Sequence, residues 1–186
     1  MAGGNAKRTR LSPEELWRPL NPGFLKVNID GAFQPGGTEG TMACICRDHN
    51  GKFIDGLTRS FVASSTLQAE FQALTITLRY LLEKNKGTDL LELESNSKTL
   101  IDLVTGLLDS PWEVRSLCAE AVALLRDFCN LQIRFCRRGA NFGADWAAKA
   151  HKTGTLPLSW PTSPPTALLD ILYADALAAN CNINSS

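Results

Sequence analysis

The sequence is short of histidine, carries no net charge and lacks long apolar runs, and each shortage removes a class of protein. Its only histidines, His49 and His151, stand far apart. Six cysteines, at positions 44, 46, 118, 129, 136 and 181, form neither a CxxC pair nor a His/Cys cluster at zinc-ligand spacing. Nineteen basic and 19 acidic residues cancel, which argues against gathering nucleic acid by an overall positive field. Any such binding must come from a local patch. No apolar run reaches the roughly 18 residues that a membrane-spanning helix needs. Met1 to Arg10 is small and basic without an apolar stretch, so it does not read as a secretory signal. The expectation is an intracellular protein of the cytoplasm or nucleus, not secreted, with its thiols reduced.

What is present suits one globular domain with flanking arms. The chain has 186 residues, 44% of them hydrophobic, enough for a proper core. Residues 1–23 form an N-terminal arm with a net charge of +2. Lys7, Arg8 and Arg10 make a basic cluster there that reads as a solvated tail. Within the arm, Ser12-Pro13-Glu14-Glu15 has the pattern of a capped helical turn. Residues 24–152 are the domain proper, without an internal repeat. Residues 153–186 begin with a linker containing Pro157, Pro161, Pro164 and Pro165, followed by a weak helix over 167–179.

Lys26-Val27-Asn28-Ile29-Asp30-Gly31-Ala32 alternates apolar and polar residues, the period of a half-buried strand. The strand places an acid on a rigid support, and Gly31 allows a backbone or ligand to come close. Alone, the segment fits a plain strand that happens to end on an acid better than a functional site. Three strands are expected over 24–33, 40–47 and 52–62. The last two are joined by Asp48-His49-Asn50-Gly51, whose Asn-Gly pair suits the positive φ of a tight turn. Ser65 and Gln68 form a capping box ahead of a helix with Leu67, Phe71, Leu74, Leu78, Leu81 and Leu82 on one face, ended by Gly87. A strand over 90–94, helices over 97–108 and 112–128, a strand over 131–136 and a helix over 141–152 capped by Asn141 complete the order βββ-α-β-α-α-β-α. This order predicts an α/β fold: a mixed five-stranded sheet, its first three strands antiparallel, with helices on both faces.

Three acids fall at informative points: Asp30 on the first strand, Glu70 and Asp145 in the first turns of two helices. First-turn acids are also favoured by the helix dipole, by about 0.3–1 kcal/mol. Three acids meeting at one sheet edge would repel one another unless cations sat between them.

Five segments in this order carry a family resemblance. They are Val27-Asn28-Ile29-Asp30-Gly31-Ala32, Arg47-Asp48 with Asn50-Gly51, Gln68-Ala69-Glu70-Phe71-Gln72-Ala73-Leu74, Glu94-Ser95-Asn96-Ser97-Lys98, and Asn141-Phe142-Gly143-Ala144-Asp145. The chain resembles the ribonuclease H type 1 superfamily, and most closely its plant retroelement-derived, reverse-transcriptase-like group. The segment from Trp160 to Asp175 also looks like that group's tail. The resemblance implies a ribonuclease H-like fold and an endoribonuclease that cuts the RNA strand of an RNA/DNA hybrid. Four carboxylates would hold two divalent ions about 4 Å apart, with Mg²⁺ expected and Mn²⁺ able to substitute. The positions implied for catalysis and metal binding are Asp30, Glu70, Asn96 and Asp145. Those implied for nucleic-acid binding are Asn28, Asn141, Arg137 and Arg138.

The chain departs from that pattern in two places. Asn96 stands where the family has an aspartate, so one full charge is missing and the second ion should bind weakly. Glu94 shares the strand parity of Asn96 but lies about 6.6 Å away along the strand. Three readings of Asn96 stand: a natural relative without hydrolysis, an Asp→Asn change introduced to trap substrate, or weak activity with three carboxylates. The loop before the last helix, Arg137-Arg138-Gly139-Ala140, lacks the histidine that many active members have. Arg137 and Arg138 there suit phosphate binding, or a solvated basic pair. The rival to an impaired nuclease is a module that kept the fold and binds nucleic acid or protein without cutting, with the C-terminal tail as a surface for a protein partner.

Overall fold

A computed structural model of the chain describes residues 16–183. The capped turn expected around Ser12 lies outside them. Strands β1 (Phe24–Phe33), β2 (Glu39–Arg47) and β3 (Phe53–Val62) lead to helix α1 (Thr66–Glu83). Next come β4 (Leu90–Ser95), α2 (Lys98–Val104), α3 (Arg115–Leu125), β5 (Asn130–Phe135), α4 (Phe142–Lys152) and α5 (Thr166–Ile183). One five-stranded sheet has the order β3-β2-β1-β4-β5. β1, β2 and β3 are antiparallel neighbours, while β4 is parallel to β1 and β5 is parallel to β4.

Strand alternation divides the interior into two layers. Met42, Cys44 and Cys46 of β2, with Val27 and Ile29 of β1, face the apolar side of α1 and the α2–α3 pair. Ala43 and Ile45 point the other way, onto Ala144, Ala147 and Ala148 of α4, Trp160, and Leu168 and Leu172 of α5. Helices therefore cover both faces, as expected. Cys44 and Cys46 are buried and reduced, their sulfurs 3.9 Å apart. No helix among the described residues is long and apolar enough to cross a membrane.

Local signals hold with specific exceptions. Ser65 caps α1 by accepting the Gln68 N–H at 3.2 Å, but the Gln68 side chain answers the N–H of Ser64, not of Ser65. α1 stops at Asn85, which takes a φ of 57°, before Gly87 is reached. In the β2–β3 hairpin only Gly51 adopts positive φ. The Asp48 carboxylate accepts the Asn50 and Lys52 N–H groups, so it shapes the turn that Asn50 was expected to share. The helix expected over 97–108 is only Lys98–Val104. The one over 112–128 is a 3-10 turn, Trp112–Val114, followed by α3.

The polar residues of β1 are buried by partners that come from both ends of the chain. Lys26 is 1% exposed and reaches Glu94 at 2.7 Å and Glu92 at 3.1 Å. Asn28 donates to Glu94 at 3.0 Å and accepts from Arg47 at 2.9 Å. Arg47, equally buried, pairs with Asp175 of α5 at 2.9 Å. The ring of Trp17 lies 4.3 Å from the Arg47 guanidinium and 5.3 Å from the Lys26 ammonium. Burial pushes Arg47 down and Asp175 up from their ordinary values, and their mutual contact opposes both changes. Residues 153–183, expected as linker and tail, thus pack onto the sheet. Trp160 fits over Gly56, where an added Cβ would come within 2.2 Å of the ring, and its Nε1 donates to Thr58 at 3.1 Å.

Truncating Asp175 to Ala leaves a buried guanidinium without its carboxylate. The expected loss is about 3–5 kcal/mol, read as a lower urea midpoint. Exposed Asp170 on the same helix, changed to Ala, should alter stability by less than about 0.5 kcal/mol.

Candidate active site

The site forms where β1 ends against α1 and α4. Gly31 is the reason α1 can lie so close. A Cβ there would come within 2.6 Å of the Ala69 carbonyl oxygen and 2.9 Å of the Glu70 Cα. The Gly31 N–H hydrogen-bonds the Glu70 carboxylate. Glu70 is the fifth residue of α1, beyond the first turn where it was expected. The helix N-terminus therefore does not explain its presence. Asp145 does sit in the first turn of α4.

Asp30, Glu70 and Asp145 are all buried, at 7, 8 and 5% exposure. Burial raises the Asp30 carboxyl to about 6, with the Asp145 charge adding to the rise and Arg138 and Lys149 opposing it. Burial raises Glu70 to about 8, helped by the Asp30 charge and opposed by the Gly31 N–H. Both changes have the signature of carboxyls crowded together away from water. Glu70 Oε2 is buried with no hydrogen-bond partner.

Asn96 follows Ser95, which pairs with Ile29 in the parallel β1–β4 ladder. The ladder therefore places Asn96 beside Asp30. Asn96 Oδ1 accepts a long 3.4 Å bond from Asn141 Nδ2, which also donates to the Ile29 carbonyl at 2.8 Å. The structure thus brings together the positions expected for catalysis: 30, 70, 96 and 145.

The residues expected to touch nucleic acid behave differently. Asn28 is 1% exposed with both ends of its amide engaged in the polar network, so it supports the strand instead of facing a ligand. Asn141 is fully buried and makes no side-chain cap on α4. It ties the start of α4 to β1. Arg138 turns inward to Asp145 at 3.3 Å. Arg137 lines a neighbouring cavity of about 550 Å³ together with Arg18, Lys26, Glu92 and Arg134. Glu94 is held by Lys26 and Asn28 and does not replace the missing carboxylate. One site residue escaped the sequence reading. Lys149 reaches Asp145 Oδ2 at 2.6 Å, and its signal was the i,i+4 spacing of the two on α4.

Divalent-cation binding can be tested against these side chains. Three buried carboxyls, of which Asp30 and Glu70 have raised proton affinity and Glu70 has an unpartnered oxygen, form a donor set that gains from a hard cation. Among the described residues, however, no three of the Asp, Glu, His and Cys side chains are grouped closely enough to share one ion. The fit is to an ion held by Asp30 and Glu70 with water completing its shell, since Mg²⁺ commonly takes only one or two carboxylates.

The sheet order, the helical layers and this junction of β1, α1, β4 and α4 define a ribonuclease H-like fold. The chain belongs to the reverse transcriptase-like family, whose model matches residues 28–151. Solved structures agree on the fold. RNase H1 from the halophilic archaeon Halobacterium salinarum aligns with a TM-score of 0.65 at 21% identity, over 71% of this chain and 99% of that one. The N-terminal RNase H domain of a Mycobacterium tuberculosis protein aligns at 0.62 and 14% identity, over 70% of this chain and 94% of that one. LC11-RNase H1, solved in complex with an RNA/DNA hybrid, aligns at 0.61 and 17% identity, over 67% and 94%. No curated protein matches the chain.

The raised carboxyls set a pH dependence. The folded chain binds more protons than the unfolded chain between the ordinary carboxyl range and about 8. Stability is therefore greatest below that window and falls as pH rises through it, by up to about 1.4 kcal/mol per pH unit for each group. Thermal melts across the window should show this decline, and Glu70→Gln should flatten most of it. An identical slope in Glu70→Gln would refute the assignment.

Proposed function

We propose that the chain is a ribonuclease H-type domain that binds an RNA/DNA hybrid at the Asp30–Glu70–Asp145 pocket and cuts its RNA strand only weakly. The observation that carries the reading is the convergence of Asp30, Glu70 and Asp145 beside Asn96 at the end of β1. Asp30 and Glu70 would hold Mg²⁺, or Mn²⁺ in its place. Such an ion supplies Lewis-acid polarisation of the phosphodiester and a more acidic water. The full form of this chemistry uses two ions and four charged ligands, and Asn96 offers a neutral oxygen in place of the fourth. Asn141 orients Asn96 and holds α4 to β1, while Asn28 stiffens the strand that carries Asp30. Arg137, beside the basic cavity, is assigned to the hybrid backbone, with Arg138 next to it at the mouth of the pocket. With no net charge on the chain, affinity for the duplex should be modest and should fall as salt rises. A retroelement origin and a plant source belong to the same reading, supported by the reverse transcriptase-like match and the motifs.

A second reading is a domain that binds nucleic acid or protein without cutting. It is favoured by Asn96 and by the two cations already on Asp145. A protein partner would meet α5 at its exposed residues Leu169, Tyr173 and Leu177, because the opposite side of that helix is packed on the sheet.

The deciding assay uses a labelled RNA/DNA hybrid in Mg²⁺ and in Mn²⁺. The native chain should cleave slowly, and Asn96→Asp should cleave at least about tenfold faster, equivalent to 1.4 kcal/mol of barrier. Hybrid binding with no cleavage by either protein would support the second reading and end the first.

A further inference from the structure

We propose that the pocket binds one divalent cation, on Asp30 and Glu70, and that Lys149 provides the positive charge where a second ion would otherwise sit on Asp145. This rests on the metal-dependent reading above but concerns the number of ions and the side chain that sets it.

Both oxygens of Asp145 are already engaged. Lys149 Nζ lies 2.6 Å from Oδ2 and Arg138 Nη2 lies 3.3 Å from Oδ1. Four residues apart on α4, Asp145 and Lys149 share one helix face, so the contact is built into the helix. An ion that used Asp145 would have to displace an ammonium at close hydrogen-bond distance. Asn96, the other position that could hold a second ion, is neutral, and its oxygen already accepts from Asn141 at 3.4 Å.

Glu70 presents the opposite situation. Its Oε2 is buried, at a residue only 8% exposed, and has no hydrogen-bond partner. It lies near Asp30 because the absence of a side chain at Gly31 lets α1 close on the end of β1. The charges lead to the same count. With all three carboxyls ionised, as ligation requires, Asp30, Glu70 and Asp145 with Lys149 and Arg138 leave a single net negative charge in the pocket. One divalent ion reverses that sign, and a second would enter against a positive field. The grouping of protein ligands agrees, since no three acidic, His or Cys side chains among the described residues are close enough to share an ion.

Lys149 has 60% of its side chain exposed, so it can be changed without opening the core. Titration of the full chain with Mn²⁺, following the EPR signal of the free hydrated ion, reads the number bound directly and requires no cleavage. The native chain should bind one Mn²⁺, and Glu70→Gln should weaken that binding at least about tenfold. Lys149→Met should bind a second, weaker Mn²⁺, while Lys149→Arg, which keeps the charge, should bind one. Two ions on the native chain would overturn the inference while leaving the metal-dependent reading intact. One ion on both Lys149→Met and Lys149→Arg would overturn the role of Lys149. No bound Mn²⁺ on the native chain would overturn the inference and the metal-dependent reading together.

Discussion

A carboxyl on a strand and a carboxyl on a helix can be buried side by side here because Gly31, the residue next to Asp30, has no side chain. Gly31 lets the backbone of α1 at Ala69 and Glu70 close on the end of β1. Without that contact α1 would ride higher, Glu70 would reach water, and the two acids would lose the crowding that raises their proton affinity. The rest of the pocket is assembled on the same strand. β4 lies parallel to β1 and places Asn96, and Asn141 fixes the start of α4 by its bond to the Ile29 carbonyl. Energetically the site is a local excess of buried negative charge, which the fold tolerates because packing elsewhere is extensive.

A second set of buried charges does the opposite work. Lys26, Arg47 and Arg134 balance Glu92, Glu94 and Asp175, and Asn28 links Glu94 to Arg47, so the network is neutral. Both sets use the same alternating polar positions of β1. At Lys26 and Asn28 the partners are supplied by neighbouring strands and by α5. At Asp30 they are carboxyls. One strand thus passes from a satisfied region into an unsatisfied one within two pleats, and that transition marks where a ligand is expected.

Much of this was legible in the sequence. Alternation in 24–33 and 40–47, the helical stripe from Leu67 to Leu82 and the element order were enough to predict the sheet and its two helical layers. The acids at 30, 70 and 145 were legible as well, through their ordered motifs. Side-chain choices that depend on tertiary partners were not. Nothing local indicates that Asn141 bonds the Ile29 carbonyl instead of capping α4, or that Asn28 faces Arg47 instead of a ligand. The same holds for Trp17, which was expected in an N-terminal arm outside the domain and is buried between two cations. Lys149 was within reach of a local rule, but an i,i+4 pair on a helix is so common that only the burial of Asp145 makes it informative.

The seating of α5 separates ancestry from folding. The family match ends at residue 151, yet Leu168 and Leu172 beyond it complete the interior with Ala43 and Ile45 of β2, and Asp175 neutralises Arg47. A fragment trimmed to the recognisable homology would bare an apolar floor and strand a cation in it. The packed unit of this protein extends beyond the span that the family model matches, and its last helix works as a keystone.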